Sequence, residues 1–552
     1  MTPNDLAAEL LAVVLEADPL TASFYGVPGY DDRLPDFASH AEKSFHDAIA
    51  AIAQGAKEFP DDGLDEAGLS TLDFVRYMAE GMAAAASVPL IEFTICDIFS
   101  SPVSAVLSSL PKLALDTTIR KEGYLARLRE MPALLEVAAT RHSEGVRSGR
   151  SAVARLVGSA IAQLDFMIAD PSMAAIVREE TGDPDFERDV KEAVDTYLRP
   201  GLAKYRDFIK EEILPHSRDE NHPGICHIEG GEEMYRALSR WHTSTVYSPE
   251  ELHEMGKEIV AQVREELREA GTRYFHTTEV SEIFNRLSND PDLRYQSREE
   301  MLAHAERAVR AAEAAAPQWF ATVPVEPCSI LPVPGAEEQG SPPAYYIPGA
   351  FDGSRASTYF LNTLTPQKRH RYMAEDIAFH EAVPGHHFQF MIALESKDLV
   401  PARQILSDTA CAEGWGLYAE RLADEMGLYS DELARMGLFT ADSWRASRLV
   451  VDTGLHAMGW TRAQAVEWMA TNTPLPQIEI DAEVDRYISY PGQALAYMVG
   501  RREIVRLRNL CSETLGDRFD LRAFHDVILR AGIMPLSALS HTVERWLARS
   551  AQ

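Results

Sequence analysis

Cysteine is scarce and scattered, with five in 552 residues, at Cys96, Cys226, Cys328, Cys411 and Cys511, and no CxxC pair among them. That distribution excludes a disulfide framework and a thiolate zinc knuckle, and it fits a reducing compartment. Long apolar runs are missing as well: no stretch approaches the roughly 18 uninterrupted apolar residues of a membrane-spanning helix. The first residues, Met1 to Glu9, carry acid where a secretory leader needs base, so a cytoplasmic protein is expected. Positive charge is the third shortage. Lys and Arg total 53 against 85 Asp and Glu, a formal charge of -32, and such a surface repels phosphate backbones and anionic lipid headgroups. Neither nucleic acid nor membrane is an expected partner.

What remains is an ordinary globular composition, 46% apolar and 25% charged, with helical periodicity throughout. Ser248, Pro249 and Glu251 form a capping-box signature, and Leu252, Met255, Ile259, Val260, Val263 and Leu267 then trace one apolar stripe. Alanine-rich runs at 82–86 and 303–316 favour helix because alanine loses no side-chain entropy on ordering. Strand signals are few. Ala344 to Ile347 and Ser357 to Leu361, bracketed by Pro and Gly, predict a small sheet. Pro and Gly also cluster from Glu326 to Pro343, which predicts a helical N-terminal region over 1–325 and a C-terminal region over 326–552 that carries the chemistry, two halves of one unit. No internal repeat is present, and nothing specifies an oligomeric state.

The informative segment is His380-Glu381-Ala382-Val383-Pro384-Gly385-His386-His387-Phe388-Gln389, in a helix expected to open at Thr365-Pro366. A zinc peptidase helix places two imidazoles on one face and a carboxylate beside the first, the HExxH arrangement. Here the spacing is longer. At about 100° and 1.5 Å per residue, His386 falls on roughly the opposite side from His380, and His387 returns to the same side about 10 Å further along. Neither shares an ion with His380 on a straight helix, given bonds of about 2.0 to 2.1 Å. Pro384, however, lacks the amide that would bond the His380 carbonyl, and its ring clashes with that carbonyl, so the helix must kink or bulge. A two-residue bulge brings His386 to the position of the second imidazole, with His387 the alternative ligand.

A third ligand is expected from a later helix. Asp408 caps a helical segment containing Cys411-Ala412-Glu413-Gly414-Trp415-Gly416-Leu417-Tyr418-Ala419-Glu420. Glu413 is the candidate, and Glu420, seven residues on, points the same way and can orient a ligand imidazole. Two His and one Glu leave a fourth position open, the catalytic pattern of zinc. Cys226 and His227 with His222 suggest a second metal site only superficially, since they lie in a Pro-Gly loop without further thiols.

These segments, with Phe24-Tyr25-Gly26, Leu34-Pro35-Asp36 and Tyr490-Pro491-Gly492-Gln493-Ala494-Leu495-Ala496-Tyr497, resemble the bacterial domain of unknown function family 885 over most of the chain. The resemblance implies a mainly α, zincin-like fold with a deep central cleft and a small β-sheet beside the metal-binding helix, similar in layout to the thimet oligopeptidase, angiotensin-converting enzyme and carboxypeptidase Taq groups. Those groups have a Gly-His pair whose His is the second ligand, and Gly385-His386 matches it. Dipeptidyl-peptidase III is similar in lengthening the HExxH spacing. The resemblance further implies that Tyr490 or Tyr497 donates to the oxyanion and that Ser357 to Leu361 acts as an edge strand for extended substrate. Arg355, Arg486 and Arg501 are candidates for holding a substrate carboxylate.

The expected function is a zinc-dependent metallopeptidase for short peptides, an oligopeptidase or carboxypeptidase. His380, His386 and Glu413 bind Zn2+, Glu381 is the general base, and Tyr490 or Tyr497 steadies the oxyanion. The rivals are a catalytically silent helical protein that binds metal or peptide, and a zinc amidohydrolase acting on a non-peptide amide.

Overall fold

The computed structural model describes residues 2–178, 181–335, 338 and 341–551. Its N-terminal part is built from helices. Pro3–Ala17, Ser39–Glu58 and Glu66–Ala86 pack on one another, and the 30-residue helix Thr118–Arg147 anchors a separate apolar cluster drawn from residues 20–213. The buried Arg127 guanidinium on that helix donates to the carbonyls of Arg33 at 2.8 Å and Tyr30 at 2.8 Å and to Ser23 Oγ at 2.7 Å, so it organises the loop containing Leu34-Pro35-Asp36. The Phe24-Tyr25-Gly26 motif ties this part to the rest: the Arg355 guanidinium lies 3.8 Å from the Phe24 ring centre and donates to the Phe24 carbonyl at 2.8 Å, while the Phe351 amide donates to the Tyr25 carbonyl at 2.9 Å.

Eight later helices frame the site. α1 is Gly231–Thr243 and α2 is Pro249–Phe275. α3 is Ala374–Glu381, α4 is His386–Glu395, α5 is Thr409–Glu425 and α6 is Glu432–His456. α7 is Gln477–Ser489 and α8 is Ala496–Leu515. α2 starts at the expected capping box, and all six residues of its stripe are buried. The alanine-rich runs lie in Glu66–Ala86 and Arg298–Trp319. The largest apolar cluster takes residues from both halves of the chain, including Leu6, Leu72 and Leu252 as well as Phe379, Leu417 and Leu539.

Three short strands, β1 Ser329–Pro332, β2 Ala344–Ile347 and β3 Thr358–Leu361, form a sheet in the order β1-β3-β2. β3 pairs parallel with β1 and antiparallel with β2. Both of its edges are occupied, so the expectation that Ser357 to Leu361 is an edge strand is corrected: among the described residues the outer strands are β1 and β2. β1, which ends in Pro332 within the Pro-Gly-rich stretch, carries no alternation that would announce it. The helix expected from Thr365-Pro366 is also corrected. Thr365 sits at φ +53, followed by 3-10 turns at Pro366–Lys368 and Arg371–Met373, and α-helix begins only at Ala374.

α6 is buried on every side despite carrying Asp442, Arg445, Arg448 and Asp452. A helix enclosed all round is normally apolar throughout; here the two carboxylates are met by donors from other elements. Asp442 receives Arg421 and Arg501, and Asp452 accepts from the Tyr235 hydroxyl at 2.7 Å and the Gly492 amide at 3.1 Å. α5 and α8 cross at Gly414 and Gly500 with backbones in contact. A β-carbon on Gly500 would fall 1.8 Å from the Ala410 carbonyl oxygen, and one on Gly414 would fall 2.3 Å from the Gly500 carbonyl carbon.

α5 begins on Asp408, whose Oδ1 accepts the Cys411 amide at 2.8 Å and whose Oδ2 accepts the Ser244 hydroxyl. Burial pushes this carboxyl up to about 7, against the lowering effect of those hydrogen bonds. The folded protein therefore holds the Asp408 proton more tightly than the unfolded chain does, and stability falls as pH rises from the ordinary carboxylate range to about 7. Asp408→Asn, which keeps the capping oxygen, is expected to flatten this dependence, gaining up to a few kcal/mol relative to wild type at pH 8 and nothing at pH 4. Chemical denaturation across that range checks it, and parallel curves for the two proteins would refute it.

Candidate metal centre

α3 ends at Glu381 and α4 starts at His386, so the segment is two helices joined by Ala382–Gly385 and not one helix with a bulge. The Val383–Pro384 peptide is cis, and the Pro384 carbonyl accepts the Trp415 indole N–H at 2.9 Å, which fastens the link to α5. Gly385 lies against the turn it leaves: a β-carbon there would fall 1.9 Å from the His380 carbonyl oxygen. Only a residue without a side chain allows the chain to double back so closely.

This break brings His380, His386 and Glu413 together, with one potential ligand atom from each lying within 4.8 Å of the others. Glu413 Oε2 is 3.4 Å from His380 Nε2 and 3.5 Å from His386 Nε2, and the two imidazole rings are 4.6 Å apart, nearly perpendicular. The side chains of His380, His386 and Glu413 are 5%, 12% and 20% exposed, so the group opens to solvent on the His386 and Glu413 side. No other trio of His, Cys, Asp or Glu among the described residues converges in this way. His222 pairs with Asp219 at 2.9 Å, and the Cys226 thiol donates to the Leu455 carbonyl.

His387 is turned away, with Nε2 2.9 Å from the Glu326 carbonyl and Nδ1 3.3 Å from the Tyr346 hydroxyl. The alternatives left open by the spacing are thus separated by geometry, and it is His386 that faces His380.

Glu420 is fully buried, and its Oε1 lies 2.7 Å from His380 Nδ1. An N–H at Nδ1 that donates to this carboxylate holds the ring so that Nε2 is turned toward Glu413. Burial alone would lower the His380 imidazole, but Glu413 and Glu420 overcome it and push it up to about 10. Burial would likewise raise Glu413, yet the two imidazoles hold it well below the usual carboxylate range. The group is therefore built to surround positive charge.

Several contributors were not singled out in the sequence. Arg445 lies 3.6 Å from Glu420. Asp376, one turn before His380, accepts the Tyr429 hydroxyl at 2.9 Å and is pushed well up by burial and by the Glu420 charge. A carboxylate four residues ahead of a ligand on the same helix was the available signal for Asp376. Gly416 supplies space, since a β-carbon there would meet His380 Cε1 at 2.5 Å.

Tyr490 and Tyr497 both come to this neighbourhood. The Tyr490 ring packs edge-on against His242 at 5.1 Å and Phe99 at 5.9 Å. Burial pushes the Tyr490 phenol up to about 12, and burial followed by the Glu413 charge raises that of Tyr497. The candidate arginines divide. Arg355 is engaged by Phe24 and by the Pro348 carbonyl, and Arg501 by Asp442. Arg486 acts through its charge on both tyrosines and donates to Glu483 and to Gln493 Oε1 at 2.8 Å. Glu381 follows directly on His380, and its charge acts on both His380 and Tyr359.

The fold and site define a mainly helical protein with a His, His, Glu trio, its first imidazole buried, at a helix break. The chain belongs to the family described as "Bacterial protein of unknown function (DUF885)", whose model matches residues 19–543. Among solved structures it is similar to "the putative lipoprotein from Colwellia psychrerythraea", at 24% identity and TM-score 0.93 over 100% of both chains. It is also similar to "a putative lipoprotein of unknown function from Shewanella oneidensis", at 16% identity and TM-score 0.74 over 98% of this chain and 99% of that one. No curated protein matches.

Glu420→Gln and Gly416→Ala test the trio without touching its ligand atoms. The first weakens the partner of His380 Nδ1 and the second pushes its ring aside. Each is expected to weaken zinc binding by roughly 10- to 100-fold, measured by competition with a chromophoric chelator. Wild-type affinity in both variants would show that these contacts do not position the imidazole.

Proposed function

We propose that the protein is a zinc-dependent metallopeptidase that hydrolyses short peptides. The observation that carries this reading is the convergence of His380, His386 and Glu413 across a chain break that ordinary helix geometry would not produce. The donor set fits a catalytic zinc ion: two imidazole nitrogens and one carboxylate oxygen, with Glu420 fixing the His380 tautomer and room for a fourth ligand. When bound, such an ion supplies Lewis acidity for water and for the substrate carbonyl.

The chain's own residues do the rest. Glu381, beside His380, takes up a proton from the attacking water and returns it to the departing amine. Tyr490 or Tyr497 donates to the oxygen of the attacked carbonyl as charge develops there. Their phenols, raised by burial, stay protonated across the neutral range and so remain donors. Extended substrate pairs with the open edge of β2 in place of β3. The Tyr346 ring of β2 packs 6.0 Å from Phe390, itself 6.0 Å from His386. No described helix is long and apolar enough to cross a membrane, and the scattered free thiols suit a reducing, cytoplasmic setting.

Glu381→Gln separates binding from turnover. The variant is expected to retain stoichiometric zinc by mass spectrometry while peptide cleavage falls by roughly 10²- to 10⁴-fold. Chelation should silence the wild type and zinc restore it. Undiminished cleavage by Glu381→Gln, or by chelated wild type, would overturn the proposal.

A further inference from the structure

Next to the tyrosines lies a group of charges that does not balance. Glu483 on α7 is the shared acceptor of Trp444 Nε1 at 3.1 Å, Arg448 Nη2 at 3.0 Å, Arg486 Nη2 at 3.0 Å and the Tyr487 hydroxyl at 2.6 Å through one oxygen, and of Arg486 Nε at 3.1 Å through the other. A carboxylate has about four lone-pair sites, so Glu483 is saturated. Two guanidinium groups thus share one negative charge. Asp452, a nearby carboxylate, is engaged by Tyr235 and Gly492.

The surplus falls on Arg448. This residue is 4% exposed, its Nε donates to the Tyr487 hydroxyl at 3.0 Å, and its Nη1 is buried with no acceptor. A buried cationic donor without a partner is costly and uncommon in native proteins. Its place is also telling: the guanidinium carbon lies 4.3 Å from the centre of the Tyr497 ring, whose phenol feels Glu413 of the metal trio. Arg486, 16% exposed, forms the outer edge, and its Nη1 is held only by the neutral amide oxygen of Gln493. A charged oxygen is a much stronger acceptor than an amide for a guanidinium fork, and it would displace that amide.

We infer that Arg448 and Arg486, beside Tyr497, receive a carboxylate of the substrate. The inference rests on the peptidase reading and deepens it, because a fixed anion anchor beside the metal trio selects peptides by a carboxylate at a set distance from the scissile bond. That carboxylate is either the free C-terminus, which makes the enzyme an exopeptidase, or an acidic side chain.

The test uses the whole protein and needs no turnover. Chelator-treated protein is titrated calorimetrically with N-acetyl-alanyl-phenylalanine, with its C-terminal amide, and with N-acetyl-glutamyl-phenylalanine amide. The free acid is expected to bind roughly 10- to 100-fold more tightly than the neutral amide. Tighter binding by the glutamyl amide alone would assign the anchor to an acidic side chain. Arg448→Gln should bring the acid-to-amide ratio close to one, and Arg448→Lys, which keeps the charge but loses the fork, should restore part of it. Thermal melts confirm that both variants fold. Equal binding of all three ligands by the unmodified protein overturns the inference without need of any variant, as does an acid preference that survives in folded Arg448→Gln. If the zinc-loaded protein cleaves no peptide while the acid preference persists, the peptidase reading fails and the anchor stands.

Discussion

α3 and α4 are consecutive helices kept apart by four residues, and His380, His386 and Glu413 meet because of that interruption. On a continuous helix His380 and His386 would face roughly opposite ways. The Pro384 carbonyl receives the Trp415 indole, and Gly385 folds back onto the His380 carbonyl. The new direction of the chain is therefore set by contact with α5, the helix that also supplies Glu413, Gly416 and Glu420. One helix thus fixes the turn, provides the carboxylate of the trio, leaves space for an imidazole and orients that same imidazole.

The surroundings show how a chain with few cations places them. The formal charge is -32, yet buried and half-buried arginines gather about the site: Arg445 near Glu420, Arg501 and Arg421 on Asp442, Arg448 and Arg486 on Glu483. Buried charge is tolerated only when paired and hydrogen-bonded. The acidic residues of the interior are accordingly distributed as partners, and the wholly enclosed α6 becomes a carrier of polar contacts through the core.

The convergence of His380, His386 and Glu413 was legible because metal-site chemistry restricts residue type. The pairing of His380 with His386 could be read from ligand requirements, and the Pro-Gly step announced that the helix had to deviate. The form of the deviation was not legible: a bulge and a complete break answer the same steric conflict, and the choice depends on Trp415 from a distant segment. Helices with capping boxes and clean stripes, such as α2, were read correctly for local reasons. The sheet was read in part. β2 and β3 have strand composition, but which of them lies at the edge depends on β1, a four-residue strand ending in proline. Arg445, Arg448 and Asp376 carried no distinctive local signal, since an ionic residue in a helix usually faces water and only Glu420 and Glu483, far along the chain, make them interior.

The crossing of α5 and α8 constrains how this region can change over evolutionary time. Gly414 and Gly500 meet backbone to backbone, and each is already the smallest residue available. Enlargement at one cannot be offset by shrinkage at the other, so this contact has no compensating second-site route among side chains. The helix that carries Glu413 and the helix that carries Tyr497 are joined at a point that admits no adjustment, and change around the trio is left to the residues beside it.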